Sequence, residues 1–569
     1  MGHHENDPVD GVYRSAEERE TWVQFAPIER LEAALVQSDR SYHAELEAIR
    51  ESAAADMDLA AAAAIAQPHP LPAAALRHVW REPLLPEMPG RELNMTSVTD
   101  GPSPGLPTQR IKWRAAVRDG IAEEFRRNPA TVYFGEGTGE RGGTYQHTAG
   151  LWEEFGAERI IDTGISELAF TGCSMGMAAT GCRAIADTMT SDFMFEATST
   201  LIEQAAKLRY MSGGETSVPM VMRAPAGNSR SNGPHHAGAY WPLWSHCPGL
   251  VVCVPAFAAD AKGLIKTALR FSEDPVIFME TKNQFDTDAE VPTEEYYLPF
   301  GKASTVRSGD DVTLVACGAH VHTCLEAAEA LSVAGTECEI IDIRTIVPMD
   351  TDAIVASVRR TGRLLVVDEA YSMCGIGAEV IAAVVGAEDL LPQLKAPPGR
   401  LHTAASAMPF SPALEAAVKV SVESVTAAVD GLFDGRAPAQ TGPVVGQAEA
   451  EARDATDRAE EAELAGHLLI EAPFRAGPVS YLFGVPVTLK EWLVEVGDAV
   501  SAQQPVATIS VEAEDMNKPG ATVADDFEVL APADGTVSAQ LVAAGEPTEL
   551  GKQVGALLAK PKSTLGHLE

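Results

Sequence analysis

Two stretches of this sequence place acid–base side chains in settings that suit catalysis. Glu167 lies in an apolar turn between a predicted strand and a predicted helix, within the segment Asp162–Leu168. His236 lies in the glycine-rich segment Asn232–Gly238, and a second histidine, His246, follows within Ser245–Leu250. A carboxylic acid in an apolar turn can share a proton with a ring nitrogen, and a histidine can move protons near neutral pH. The two stretches together therefore indicate acid–base chemistry.

Each of these side chains also has an ordinary structural interpretation. Glu167 could be a first-turn acid that interacts with a helix dipole, with Ser166 as the N-cap. A histidine in a glycine-rich loop is commonly a surface residue. Taken singly, neither residue decides between these interpretations and catalysis.

Three further segments, in chain order, favour catalysis: Met189–Phe193, Glu203–Tyr210 and Asp260–Ile265. With the first two stretches they resemble the beta subunit of the decarboxylase component of 2-oxoacid dehydrogenase complexes, which uses thiamine diphosphate. The resemblance implies that Glu167 protonates the aminopyrimidine ring of the cofactor at N1′. It also implies that Ile165, Leu168, Ala169 and Phe170 exclude water from this acid and favour the shared proton.

The same resemblance assigns roles to four other residues. Met189 and Phe193 are expected to pack against the pyrimidine, although both could simply be core residues. His236 is expected to be the active-site histidine. Glu136 corresponds to a carboxylate that lines the route between paired active sites, although an exposed loop glutamate is the alternative.

One motif that thiamine enzymes need is absent from the sequence. They hold Mg²⁺ and the diphosphate through Gly-Asp-Gly followed by an Asn, and Gly-Asp-Gly occurs nowhere in the 569 residues. The family carries this motif on its alpha subunit. We therefore predict a heterotetramer in which an alpha-type partner binds most of the metal, and we assign no metal ligand to this chain.

The N-terminal residues resemble the C-terminal tail of that alpha subunit. The similarity covers Gly2–Pro8, Val12–Ser15 and the acidic helical pattern that follows. His3 would correspond to a loop histidine that approaches the diphosphate, although a cloning remnant could explain the first four residues. We interpret this region as an alpha tail fused to a beta chain.

The remaining sequence predicts an α/β protein. Short apolar strands, among them Thr131–Phe134, Ala184–Asp187, Val312–Ala316 and Arg363–Asp368, alternate with helices. This alternation is typical of a mostly parallel sheet covered on both faces. We predict a thiamine-binding pyrimidine-type domain followed by a transketolase C-terminal domain, between a helical extension and an all-β lipoyl-like domain of barrel-sandwich type. The predicted ranges are 1–90 for the helical segment, 91–108 for a linker, 109–300 and 301–432 for the two α/β domains, 433–466 for an acidic linker and 467–562 for the lipoyl-like domain.

The lipoyl-like region lacks its expected attachment residue. Val487–Val500 and Glu528–Val537 resemble the two halves of a lipoyl domain, which presents a lysine at a hairpin tip. Counting inwards from either half reaches Ala513 or Ala524, and the only lysine between the halves is Lys518. We expect no lipoate here and interpret the domain as a docking or assembly module.

Bulk properties exclude some classes of function. The formal net charge is −38, which argues against a nucleic-acid partner because phosphate binding needs an excess of Lys and Arg. No apolar run approaches the roughly 20 residues that span a bilayer. Eight scattered cysteines fit reduced thiols, so we expect a cytoplasmic protein without a membrane partner.

These features predict a beta-type subunit of a thiamine diphosphate-dependent 2-oxoacid dehydrogenase. The enzyme would cleave a carbon–carbon bond next to a carbonyl and pass the acyl unit to a lipoyl-bearing acyltransferase or an acyl carrier protein. One alternative is transketolase-like transfer of a two-carbon unit from a ketose phosphate. Another is an inactive scaffold, against which the presence of Glu167 and His236 argues.

Overall fold

The computed structural model describes residues 15–68, 71–88, 91–92, 107–228 and 231–436, together with eight strands between residues 467 and 559. His3 and the rest of the first fourteen residues lie outside these ranges, as does most of the predicted acidic linker. The chain divides into two compact units, Met1–Arg77 and His78–Glu569.

The first unit is helical, as the sequence predicts. Its elements are α1 (Ala16–Val23), α2 (Pro27–Ser38), α3 (Tyr42–Ala66) and a 3₁₀ turn at Pro72–Leu76. Ser15 caps α1 by accepting a hydrogen bond from the Glu18 amide at 3.1 Å, and Pro27 occupies the first position of α2. None of the described residues of α2 and α3 is buried, so these helices have no core of their own.

The second unit begins with an α/β domain. Its strands are β1 (Arg91–Glu92), β2 (Thr108–Lys112), β3 (Thr131–Glu136), β4 (Ile160–Thr163), β5 (Arg183–Asp187), β6 (Met220–Ala226), β7 (Val251–Cys253), β8 (Val276–Thr281), β9 (Asp288–Pro292) and β10 (Tyr296–Tyr297). Its helices are α4 (Trp113–Arg127), α5 (Leu151–Phe155), α6 (Glu167–Ala179), α7 (Ala206–Met211), α8 (Trp241–Ser245) and α9 (Ala258–Arg270), with short 3₁₀ or π turns at Ser191–Ala197, Ser199–Ala205 and Lys282–Gln284.

A second α/β domain follows. Its strands are β11 (Ser304–Arg307), β12 (Val312–Ala316), β13 (Cys338–Asp342), β14 (Thr345–Val347), β15 (Leu364–Tyr371) and β16 (Gly399–Thr403). Its helices are α10 (His320–Val333), α11 (Thr351–Thr361), α12 (Ile376–Gly386), α13 (Pro412–Val418) and α14 (Val422–Phe433), with a 3₁₀ turn at Leu391–Gln393.

The two domains contain parallel sheets, which confirms the predicted fold class. The larger sheet has the order β14-β7-β8-β6-β5-β3-β4, and all its pairs are parallel except β14 with β7. The smaller has the order β11-β13-β12-β15-β16, with only β11 antiparallel. Strand β14 comes from the second domain but extends the sheet of the first. The two domains therefore share a hydrogen-bonded ladder, which the sequence prediction of separate domains did not anticipate.

Both sheets contain strands that are buried along their whole length. Every residue of β6, β8, β12 and β13 is buried, as expected for parallel strands covered by helices on both faces. Helices α4 and α9 pack on one face of the larger sheet around Val117, Ile121 and Ile265. Helix α6 packs on the other face with Phe170.

The C-terminal region contains two four-stranded antiparallel sheets. Their strands are β17 (His467–Glu471), β18 (Val487–Trp492), β19 (Ala499–Val500), β20 (Pro505–Glu514), β21 (Thr522–Leu530), β22 (Gly535–Gln540), β23 (Pro547–Thr548) and β24 (Gln553–Ala559). The sheet orders are β17-β24-β22-β19 and β21-β20-β18-β23. The described residues of this region are therefore β-strands, and its all-β, lipoyl-like identity stays a prediction.

The register of the β20–β21 hairpin corrects the argument about lipoate attachment. Ala513 pairs with Val523 and Ala524 with Glu512, so both counted positions lie within paired strands and not at a turn. The connection between the strands is residues 515–521, which contain Lys518 and lie outside the described residues.

We nevertheless keep the prediction that this chain carries no lipoate, because the connection is longer than the tight turn that a lipoyl domain presents. Intact-mass spectrometry of protein made in a lipoate-competent host is expected to show the unmodified mass. A lipoyl-sized increase that maps to Lys518 would contradict the prediction.

Among the described residues, no helix is long and apolar enough to cross a membrane. All eight cysteines are free thiols, and four of them, Cys253, Cys317, Cys324 and Cys338, are buried.

Candidate active site

The predicted site residues lie at the carboxyl edge of the larger sheet. Four neighbouring parallel strands, in the order β6-β5-β3-β4, end at this edge. Glu136 is the last residue of β3 and pairs with Thr163, the last residue of β4, and Glu167 opens the helix that follows β4. Because the chain leaves β3 towards β4 and returns to β5 on the other side, this edge is a switch point of the sheet, where α/β proteins commonly bind ligands.

Glu136 and Glu167 form a pair of neighbouring carboxylates. Glu167 is 8% exposed, and the Oε1 atom of Glu136 is buried with no hydrogen-bond partner in the part of the chain that the structure describes. Burial, followed by the negative charge of Glu167, raises the pKa of Glu136 above its ordinary value. Two neighbouring carboxyl groups at this edge suit acid–base chemistry at a ring nitrogen.

The surroundings of Glu167 correct two expectations from the sequence. The Ser166 hydroxyl donates to the Gly164 carbonyl at 3.0 Å and does not cap the helix. Ile165 is 86% exposed, Leu168 is 54% exposed and Ala169 is also exposed, so only Phe170 of the four expected apolar neighbours is buried. The reason is that the loop and the outer face of α6 point away from this chain's own core. In the single chain these three side chains therefore do not exclude water from the acid.

Met189 occupies a strained turn directly after β5. Its φ is +56°, a left-handed conformation that is uncommon for a non-glycine residue. The Asp187 carboxylate fixes the turn by accepting the Met189 amide at 2.9 Å, and the Thr144 hydroxyl donates to the Met189 sulfur at 2.7 Å. Strain that is held by surrounding contacts is typical of functional sites.

A buried charge network lies beneath this turn. Asp187 accepts the Tyr133 hydroxyl at 2.5 Å and lies 2.7 Å from His147 Nε2. Arg223 donates to the Tyr133 oxygen at 3.0 Å and pairs with Glu280 through two hydrogen bonds of 2.7 and 3.0 Å. Burial disfavours the charged form of Asp187, but His147 and Arg223 outweigh it and lower its pKa to about 2. The site is thus held from below by ionised, fully buried groups.

The glycine-rich loop brings His236 to the same edge. Its imidazole ring contacts Phe193 edge to face, with ring centroids 5.5 Å apart. The Lys282 ammonium donates to the His236 carbonyl oxygen. Burial, followed by the charge of Lys282, lowers the pKa of His236. His246 is exposed at the end of α8, and within the described ranges no side-chain contact gives it a role.

Most of the predicted site residues therefore lie along one edge. Glu136, Glu167 and Met189 follow adjacent strands, and Phe193 contacts His236. Ile165 lies at the surface beside them. Sequence reasoning missed the supporting residues Tyr133, His147, Asp187, Arg223 and Glu280. Of these five residues, only Asp187 had a sequence feature that could have identified it, because it is the last residue of a predicted strand and lies two residues before Met189.

The described ranges contain no group of three or more His, Cys, Asp or Glu that could hold a metal ion. The carboxylate pair and the orphaned Glu136 oxygen fit a ligand with a basic, ring-shaped group. The residues present therefore fit the pyrimidine end of thiamine diphosphate.

Comparison with protein families gives two matches. Residues 109–287 match the transketolase pyrimidine binding domain, and residues 301–425 match the transketolase C-terminal domain. The two matched ranges contain all the site residues described above.

Several curated proteins are similar to this chain. The pyruvate dehydrogenase E1 component subunit beta of Rhizobium meliloti is 40% identical over 320 residues, which are 56% of this chain and 68% of that protein. The 2-oxoisovalerate dehydrogenase subunit beta of Bacillus subtilis is 38% identical over 56% of this chain and 97% of that protein. The acetoin:2,6-dichlorophenolindophenol oxidoreductase subunit beta of Cupriavidus necator is 39% identical over 56% of this chain and 96% of that protein.

Proposed function

Because this chain belongs to the transketolase-like family of 2-oxoacid dehydrogenase E1 beta subunits, we propose that it supplies the pyrimidine-binding half of a thiamine diphosphate site. An alpha-type partner would supply the half that holds Mg²⁺ and the diphosphate. The assembly would cleave a 2-oxoacid next to its carbonyl and pass the acyl unit to a lipoyl group or a carrier protein.

The observation that carries this proposal is the carboxylate pair formed by Glu136 at the end of β3 and Glu167 at the start of α6. When bound, thiamine diphosphate would supply a nucleophilic carbon that adds to a carbonyl and a cationic ring that accepts the electron pair of the bond that breaks. Glu167 would hold the proton at the ring nitrogen, with Glu136, whose pKa is raised, beside it. Met189 and Phe193 would hold the ring, and His236 would move a proton near the substrate.

The exposed apolar residues beside Glu167 support a shared site. Ile165 and Leu168 lie next to a buried acid, yet they are open to solvent in the single chain. Exposed apolar side chains next to a site are typical of a surface that a partner covers. We propose that the alpha-type subunit covers them in a heterotetramer, and that the water exclusion expected from the sequence is completed there.

The finer parts of the proposal concern segments outside the described residues. His3 would approach the diphosphate as part of an alpha-type tail. The acyl acceptor would be the lipoyl arm of an acyltransferase or an acyl carrier protein, and not a lipoyl group on this chain.

An assay of the reconstituted complex tests the reaction class. With an alpha-type partner, thiamine diphosphate and Mg²⁺, we expect CO₂ release from pyruvate or a branched 2-oxoacid with an artificial electron acceptor. Consumption of a ketose phosphate without CO₂ release would instead assign the transketolase-like reaction. Turnover of neither substrate class would contradict the enzymatic proposal.

A further inference from the structure

We propose that the second α/β domain positions the catalytic histidine loop, with Glu369 as the positioning residue. The loop is residues 227–238, which follow β6 and carry His236. This inference rests on the proposed function, because it assigns the domain a role in the same reaction. It adds a residue that lies on β15, outside the site described above.

The first domain holds the end of the loop. The Gly227 amide donates to the Gly238 carbonyl at 2.9 Å, which closes the neck of the loop. The Ser191 hydroxyl donates to the same carbonyl at 2.6 Å, and the Gly238 amide donates to Asp192 at 3.1 Å. The neck and the end of the loop are thereby fixed to the segment that carries Phe193.

The second domain holds the start of the loop. The Asn228 amide donates to Glu369 Oε1, and its side-chain amide donates to the Thr403 hydroxyl at 3.1 Å. The Ser231 amide donates to Glu415 Oε2 at 2.8 Å, and Glu415 is in turn paired with Lys419 at 2.8 Å. These acceptors come from β15, β16 and α13, so three separate elements of one domain converge on a few residues of the other.

Two glycines of the loop also pack closely against side chains of the second domain. Gly227 has a φ of +91°, and a Cβ atom at this position would lie 2.6 Å from Glu369 Oε2. A Cβ atom at Gly233 would lie 2.2 Å from the Phe410 ring. The loop can therefore approach the carboxylate and the ring only because glycine occupies both positions.

Glu369 is costly to bury, which argues for a specific role. It is 3% exposed, and its Oε2 atom has no hydrogen-bond partner among the described residues. Burial raises its pKa to about 7, against the hydrogen bond from the Asn228 amide and the charges of Lys419 and Lys282. A buried carboxylate without a direct cationic partner does little for stability. Its contribution to the loop is the hydrogen bond that its Oε1 atom accepts from the Asn228 amide.

The pKa of His236 provides a readout that a purely structural role of Glu369 would not change. The groups that face His236 are Lys282, Asp192 and His235, and burial is the main cause of its lowered pKa. If the loop is released, His236 gains water and its pKa rises towards its ordinary value. Glu369 is not among the charges that shift the pKa of His236, so loss of its charge by itself would leave this pKa nearly unchanged. Release of the loop therefore predicts a shift, and loss of the charge alone predicts none.

Three variants of the full chain in the reconstituted complex test the inference: Glu369→Ala, Glu369→Gln and Glu379→Ala. Glutamine keeps an oxygen acceptor for the Asn228 amide, and Glu379 is an exposed glutamate of the same domain. In Glu369→Ala we expect amide exchange across the loop, measured by mass spectrometry, to be at least about tenfold faster. We also expect kcat to fall roughly 10- to 100-fold with little change in KM, and the acidic limb of kcat/KM to move to higher pH.

Glu369→Gln and Glu379→Ala should keep wild-type exchange in the loop. Unchanged exchange in Glu369→Ala, an acidic limb that does not move to higher pH, or a Glu369→Gln variant whose loop exchanges as fast as that of the alanine variant would each overturn the inference. Failure of the proposed function is a separate outcome, because it appears as inactivity of the wild-type complex. The exchange measurement still decides in that case whether Glu369 holds the loop.

Discussion

Glu167→Gln is expected to reduce turnover of the reconstituted complex by about 10²- to 10⁴-fold, the usual contribution of a positioned acid. Glutamine has nearly the same shape as glutamate, but its amide cannot share a proton with a ring nitrogen as a carboxyl group can. The fold should persist, because the structure shows no ion pair or cap that depends on the Glu167 side chain among the described residues. The measurement is the rate of CO₂ release at saturating cofactor.

The matched control is Glu153→Gln, which changes an exposed glutamate of α5 in the same domain. It should keep wild-type activity. Circular dichroism and thermal unfolding should show no difference between the two variants. Near-wild-type activity of the Glu167→Gln complex would remove the residue from the mechanism.

Arg223→Met is expected to destabilise the chain by about 3–5 kcal/mol, the cost of breaking a buried ion pair. Arg223 and Glu280 are both fully buried and share two hydrogen bonds. Methionine would leave Glu280 without its cation and remove the donor to the Tyr133 hydroxyl. Urea unfolding of the isolated chain measures the change in the free energy of unfolding.

A double variant separates pairing from simple loss of packing. In Arg223→Met/Glu280→Met both charges are gone, so the loss of stability should be smaller than the sum of the two single losses. Additive losses would show that the two side chains do not act as a pair. Arg436→Met, which removes an exposed arginine near the end of the second domain, should change stability little.

The sequence predicted the strands well because their signal is local. Runs of apolar residues identified β3, β5, β12 and β15 almost to their ends. The predicted β3 ended at Phe134, whereas pairing with β4 extends the strand to Glu136. The predicted β15 ended at Asp368, whereas the strand continues to Tyr371 across an irregularity in its pairing with β16, and Glu369 lies within that irregularity.

The supporting groups could not be predicted because they meet only after folding. The hydrogen-bonded pairs among Tyr133, His147, Asp187 and Arg223 are 40 to 90 residues apart along the chain, and no spacing rule links them. The exposure of the side chains around Glu167 could not be predicted from the sequence either. The pattern Ile165–Phe170 suggests a uniformly apolar setting for Glu167, but the helix buries only one face of it. Whether the other face is covered depends on a second polypeptide.

The central claim is that this chain contributes only the pyrimidine half of a thiamine diphosphate site. Isothermal titration calorimetry of the cofactor tests it with the chain alone, the alpha-type partner alone and the two together, each with and without Mg²⁺. The account predicts tight, Mg²⁺-dependent binding only for the two chains together. Tight Mg²⁺-dependent binding by the isolated chain would contradict it.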